Sequence, residues 1–228
     1  GIQIGGSTVT LNNAIIDSNA SYVGGGYYGG GLYSSGGSHI TITNSQINDN
    51  ASDRGGGIYS TNDSSFTLTN VSVLRDSTTS DGGGLYFDGT INPILLSNVS
   101  VQDNISNNGN GGGIYASQTS LHITKSSISN NLARSAGGGL FQSTNLSVEN
   151  SLVVDNTSFI GNRSYDNGGG AYSSIGHTGK VTFTNVLFAK NKAGDSSYNK
   201  TAGLYSHAST QGSNTVRVIN NTFVSNEG

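Results

Sequence analysis

Four kinds of side chain in this sequence could do chemistry, and each recurs at a fixed place. Asp49, Asp103 and Asp155 each precede a recurrent asparagine, and Asp17 lies two residues before one, so these carboxylates could form an outward row. Polysaccharide cleavage needs carboxylates that converge on one exposed face, alone or with Arg or Lys. A mere row fits solvated turn residues, or weak cation binding, better than catalysis. Asp53-Arg54 and Asp81 stand just before glycine triplets and read as loop charges. His39, His122, His177 and His207 fall at unrelated places in the pattern, and cysteine is absent. A histidine metal site is therefore not expected, and thiolate chemistry and disulfides are excluded. Gly176-His177-Thr178 matches a galacturonase Gly-His-Gly poorly. Nothing in these patterns calls for a cofactor.

The aromatics are more regular. Tyr33, Tyr59, Tyr86, Tyr115, Phe141, Tyr172 and Tyr205 each follow an apolar residue that follows a glycine, as in Gly55-Gly56-Gly57-Ile58-Tyr59. Alternation along a strand sends them opposite to the inward Leu or Ile, so they should form a stripe that is at least partly outside. Aromatic stacking between coils is the simpler role. A platform for sugar rings or for a partner protein is the sharper one.

The asparagines form the strongest pattern, apolar-x-Asn-x-x-apolar-x-x-Asn. Its first asparagine is Asn13, Asn44, Asn70, Asn98, Asn150, Asn185 and Asn220, with Lys125 in one copy. Its second is Asn19, Asn50, Asn104, Asn131, Asn156, Asn191 and Asn226, with Asp76 in one copy. Stacked asparagines can bond to one another and to backbone left free at a bend, and they tolerate the left-handed conformation of tight turns. Eleven Asn-x-Ser/Thr sequons follow from this composition. Those at Asn70, Asn98 and Asn220 should be buried at a bend. Asn62, Asn145, Asn162 and Asn199 are others, and loop sites such as Asn162 or Asn199 are where glycosylation would matter.

These positions require elements that repeat. The third glycine of the triplet recurs after 26, 27, 29, 26, 31 and 33 residues. The local period is that of a strand: His39-Ile40-Thr41-Ile42-Thr43 alternates, and no window carries a helical face. The triplets precede strands rather than helices and no Gly-Lys-Ser/Thr follows, so phosphate binding is not indicated. Two or three short strands per repeat describe one turn of a β-solenoid. The expectation is an all-β, right-handed parallel β-helix of about eight coils of 26–33 residues, with residues 1–228 as a single repeat domain. Three inward stacks should fill it: Ile40 and Ile42 with their equivalents, Ile47 with Ile16, Val73, Val101, Ile128, Val153, Phe188 and Phe223, and Leu32 with Ile58, Leu85, Ile114, Leu140 and Leu204. Variable loops are expected over 22–28, 157–167 and 194–200. Outward Thr pairs, such as Thr41/Thr43 and Thr182/Thr184, suggest an ice-ordering face, but Ser97, His122, Glu149 and Arg217 interrupt it.

Composition agrees. Apolar residues make up only 32% and charged residues 10%, which suits a thin core with little self-repulsion. The net charge of −3 and the absence of a basic run exclude a nucleic-acid partner, and no stretch is long and apolar enough to span a bilayer. The chain opens mid-coil at Gly1-Ile2-Gln3 and stops at Asn226-Glu227-Gly228, where another triplet would follow, so a segment of a longer protein, or a subunit stacking end to end on neighbouring β-helix segments, is expected.

The alternation of Gly56-Gly57-Ile58 with Phe188-x-x-Asn191 and Phe223-x-x-Asn226 resembles the chlamydial polymorphic outer membrane protein repeat, Gly-Gly-Ala-Ile and Phe-x-x-Asn, over essentially the whole chain. That resemblance implies a right-handed β-helix passenger of the autotransporter kind, exported to the cell surface or secreted, often adhesive, with no catalytic residues. Its partner would be a host or cell-surface protein or glycan.

Overall fold

In the computed structural model the described residues are 1–21, 26–144, 148–176, 178–194, 200–209 and 212–228; over 148–150 only the backbone is described. Over these residues the chain winds into a right-handed parallel β-solenoid with no helices. Every strand pair is parallel, and each strand meets its equivalent one coil away. Among the described residues, three sheets of 8, 14 and 6 strands run along the rod. The first stacks eight strands from Ile2–Gly5 to Leu204–Ala208, which bound seven complete turns rather than the eight expected. The second has two banks joined at a bend, and in two coils the chain crosses that bend as one strand, His39–Asn48 and Ser65–Leu74. The third is a narrow sheet of two-residue strands such as Ile105–Ser106.

Alternation builds this form. In Ser65–Leu74, Phe66 and Leu68 are fully buried while Thr67 and Thr69 are half-exposed, because successive side chains of a strand take opposite faces. Stacking at the ~4.8 Å inter-strand spacing then turns each inward position into a column. Ile58, Leu85 and Ile114 make one; Val73, Val101 and Ile128 make another. The glycine triplets close the coil where backbones meet. Gly111 has a φ of 65°. An added Cβ on Gly113 would stand 2.7 Å from the Gly139 carbonyl oxygen and 3.0 Å from the Asn131 amide, too close for any side chain.

The sixth coil departs from the expected alignment. Ile123 pairs with Val154, not Val148, and Ile128 pairs with Phe159, not Val153. The repeat there is Val154-Asn156-Phe159-Asn162, six residues later than the copy starting at Val148. Residues 157–167 are consequently regular coil, carrying strands Ser158–Ile160 and Arg163–Ser164, and not a variable loop. The extra residues lie ahead of them, where the register shifts between Val148 and Leu152.

Candidate functional site

The inner asparagine row is a continuous hydrogen-bonded spine. It comprises Asn19, Asn50, Asp76, Asn104, Asn131, Asn162, Asn191 and Asn226. Asn104 Nδ2 donates to Asn131 Oδ1 at 3.0 Å, Asn131 to Asn162 at 2.9 Å, Asn162 to Asn191 at 3.1 Å and Asn191 to Asn226 at 2.9 Å. The same Oδ1 atoms accept the backbone N–H of the preceding coil's asparagine, as Asn131 does from Asn104 at 3.0 Å. Each Nδ2 also donates to a carbonyl, for example Val101 for Asn131. Buried backbone groups at the bend are thereby paired, which is what a buried turn demands. Asn162 is fully buried in this row, which removes it as a glycosylation site; Asn145 and Asn199 lie outside the described residues. Asn156, expected here, belongs to the other row.

That outer row is Asn13, Asn44, Asn70, Asn98, Lys125, Asn156, Asn185 and Asn220, all left-handed with φ between 46° and 56°. Asn98 Nδ2 donates to Asn70 Oδ1 at 2.8 Å, Asn70 to Asn44 at 2.9 Å, and Asn44 to Asn12 at 3.0 Å. Lys125 has no amide and breaks the chain of bonds; beyond it Asn156 turns to Asp155 at 2.6 Å. Asn150, expected in this row, is not at the bend, and its side chain lies outside the described residues. Contrary to the expectation of burial, Asn70, Asn98 and Asn220 are exposed. The bend points its turn residues outward, so the amides line an open groove of about 840 Å³ between the two banks of the second sheet. Gln46, Ser100, Ser127 and Ser158 form its walls, and Lys125 is its one charge among the described residues.

The aromatic column forms in full. Adjacent rings from Tyr33 through Tyr59, Tyr86, Tyr115, Phe141 and Tyr172 to Tyr205 stack with centroids 4.6–5.5 Å apart and planes within 16°. Tyr28 adds a second ring against Tyr59 at 4.6 Å. Each interior ring therefore has both faces covered and offers solvent only an edge. Tyr59 and Tyr86 are buried, at 7% and 5% exposure, and the others are half-buried. Burial pushes the phenol pKa values of Tyr59, Tyr86, Tyr115 and Tyr172 up, so the column stays neutral. Arg54 lies 5.9 Å from the Tyr28 ring centre and 6.0 Å from that of Tyr86, and 3.9 Å from Asp81. It is a partner of the stripe, not simply a loop charge.

The acidic row does not assemble. Asp49 and Asp103 share a left-handed position, but Arg75 holds it in the coil between them. Arg75 grips Asp49 with two hydrogen bonds of 2.7 and 2.6 Å, which pulls the Asp49 pKa down. Asp155 sits in another column, beside Thr124 and Thr184. Asp53 is nearly buried and accepts N–H bonds from Gly26 and Tyr27. No group of three or more His, Asp or Glu suited to a metal occurs among the described residues. His177 lies outside them. The Thr column is broken by Leu95, His122, Val153 and Arg217, so Val153 stands where Glu149 was expected. Two polar groups inside the coil escaped sequence reading: Asp63 accepts from Ser34 Oγ at 2.5 Å and Ser60 Oγ at 2.8 Å, and Ser173 donates to Gln142 at 2.9 Å. Alternation marks Ser34, Ser60, Gln142 and Ser173 as inward but says nothing of polarity, and Asp63 lies in the turn between two strands, where alternation gives no signal.

A family model described as right handed beta helix region matches residues 1–157. No curated protein matches the chain, and no solved structure does.

Proposed function

The chain belongs to the right-handed β-helix family, and from that premise we propose that it is a structural or adhesive segment of a surface or extracellular protein, working without catalysis. One observation carries this reading: the repeated polar and aromatic side chains are engaged in coil-to-coil bonding. The inner amides bond to one another and to backbone, and the tyrosine faces cover each other. Such a molecule is a stiff rod whose sides present regular polar surface. The likeness to chlamydial polymorphic outer membrane protein repeats supports a passenger role at the cell surface, toward a protein or glycan. The second reading is a carbohydrate-binding or carbohydrate-active β-helix, and the observation that favours it is the open amide-lined groove.

The test is incubation of the 228-residue chain with a polysaccharide panel and, separately, with intact cells and a glycan array. The expected result is retention on cells without release of reducing or unsaturated sugar ends. Steady accumulation of such ends would overturn the proposal in favour of the second reading. Glycan binding that vanishes in a Tyr86→Ala/Tyr115→Ala variant would return the aromatic column to the role of a sugar platform.

A further inference from the structure

Charge is unevenly distributed along the rod. Eight of the ten Lys and Arg residues lie beyond residue 114, whereas eight of the thirteen acidic residues lie before it. Within the basic half, two arginines are gathered on one ring. The Arg134 guanidinium carbon is 5.0 Å from the Tyr165 ring centre and that of Arg163 is 4.9 Å from it. Both distances are within cation–π range, so the two cations are held within about 10 Å of each other. Both arginines are exposed, and among the described residues neither meets a carboxylate. The nearby Asp166 is already taken by Lys200 at 2.9 Å. Strand register adds a third cation: Arg163 pairs with Lys192 on the next coil of the third sheet, in a column that is Ile105 and Leu132 two and one coils earlier. Among the described residues Lys192 reaches only the exposed Glu227, at 3.8 Å.

We propose that Arg134, Arg163 and Lys192, organised around Tyr165, form a binding site for sulfate groups on a charge-dense linear polysaccharide. Arg163 and Lys192 follow one another along the rod axis at the coil spacing of ~4.8 Å, with Arg134 beside them across the Tyr165 ring, so the cluster suits anions carried in series rather than a single ion. One exposed ion pair in water is weak, and several joined on a polymer add through effective concentration. A glycan with one carboxylate per disaccharide leaves coils unmatched, whereas sulfate esters supply enough charge. Nucleic acid fits poorly, because the ring that would stack a base is occupied by guanidinium. The inference rests on the adhesive reading only for its partner being a surface polymer.

The experiment is titration of the chain with heparin, hyaluronate and polyphosphate across a range of salt concentrations. Expected is heparin binding that weakens at least tenfold in Arg134→Ala/Arg163→Ala, with the salt slope falling by about one per arginine removed. Tyr165→Ala, which frees the guanidiniums, should weaken it severalfold. Lys180→Ala/Arg217→Ala, which removes equal charge elsewhere on the rod, should leave it within twofold. Equal loss in this control, or undiminished binding by the double arginine variant, overturns the site. Equal affinity for hyaluronate or polyphosphate overturns the assignment to sulfated polysaccharide. A chain that binds cells but not heparin sinks this site alone, and one that binds heparin but no cell surface sinks the adhesive reading alone.

Discussion

Asp76 stands where every other coil of the inner row has an asparagine, and it is fully buried. Its Oδ1 accepts from Asn50 N at 2.7 Å and Asn50 Nδ2 at 2.9 Å, as an asparagine oxygen would. Its Oδ2 occupies the place of the amide nitrogen, which in the neighbouring coils donates to the Ile16 and Val73 carbonyls, and it has no partner. Only a protonated Oδ2 could act as that donor. Burial accordingly pushes the pKa up to about 8 from 3.8, against the opposing pull of the Asn50 hydrogen bonds; Asp49 adds a small upward push and Arg75 a small downward one. The folded state therefore binds a proton that the unfolded state releases above pH 3.8. This contribution is complete below the unfolded pKa and declines as pH rises from about 4 to about 8. Asp76→Asn restores the donor permanently. It should raise stability by about 2 kcal/mol or more at pH 8 and little at pH 4. Denaturant unfolding of both proteins at the two pH values checks this, and equal differences at both would show that Asp76 is ionised in the fold.

At the scale of the bend, two asparagine rows look alike in sequence and differ in worth. Asn131 bonds to the Asn104 backbone N–H, the Val101 carbonyl and two side chains, all buried. Asn131→Ala strands those groups and should cost about 3 kcal/mol or more. Asn98 is exposed, with one ladder bond to Asn70 and a φ of 53°. Asn98→Ala should cost about 1–2 kcal/mol, chiefly left-handed strain. Thermal unfolding of the two variants separates the rows, and equal losses would refute the distinction. The repeat, its strands and the aromatic column were legible in the sequence because each depends on spacing alone. Exposure of the rows was not, since the pattern says which residues recur and not which side of a bend they face. The sixth coil was misaligned because Val148-Asn150-Val153-Asn156 and Val154-Asn156-Phe159-Asn162 satisfy the same motif. A signal did exist: the inner residue precedes the next third glycine by seven residues at Asn50, eight at Asp76 and nine at Asn104, and by eight at Asn162 but fourteen at Asn156. The same arm reaches twelve residues at Asn19 and at Asn191, so it too can take an insertion and the signal is narrow; in the sixth coil the insertion lies ahead of the outer bend, at the register shift after Val148. The arginines on Tyr165 were invisible for the same reason, since Arg163 was assigned to a loop that is in fact strand.

Over the whole molecule, each coil touches only its neighbours, so stability is a sum of coil and interface terms and need not be uniform. Central coils have a neighbour on each side. In the coil carrying Thr222–Val224, Phe223 stacks on Phe188 at 4.9 Å with its other face open, and it is 49% exposed. Val218 and Ile219 of the same coil are also exposed, whereas their equivalents one coil earlier, Phe183 and Thr184, are fully buried and half-exposed respectively. A coil with half its interfaces gains about half the apolar burial, while ordering its backbone costs as much as in any other coil. Its hydrogen bonds should therefore open without disturbing those further in. In hydrogen exchange of the 228-residue chain, amides of Thr222–Val224 should exchange well ahead of those of Ser127–Ser129, with protection rising coil by coil toward the middle. A single uniform protection level would mean that the rod unfolds as one cooperative unit, contradicting the additive picture. The arginines on Tyr165 lie between these limits, on coils flanked on both sides, which keeps their spacing fixed while the end coil frays.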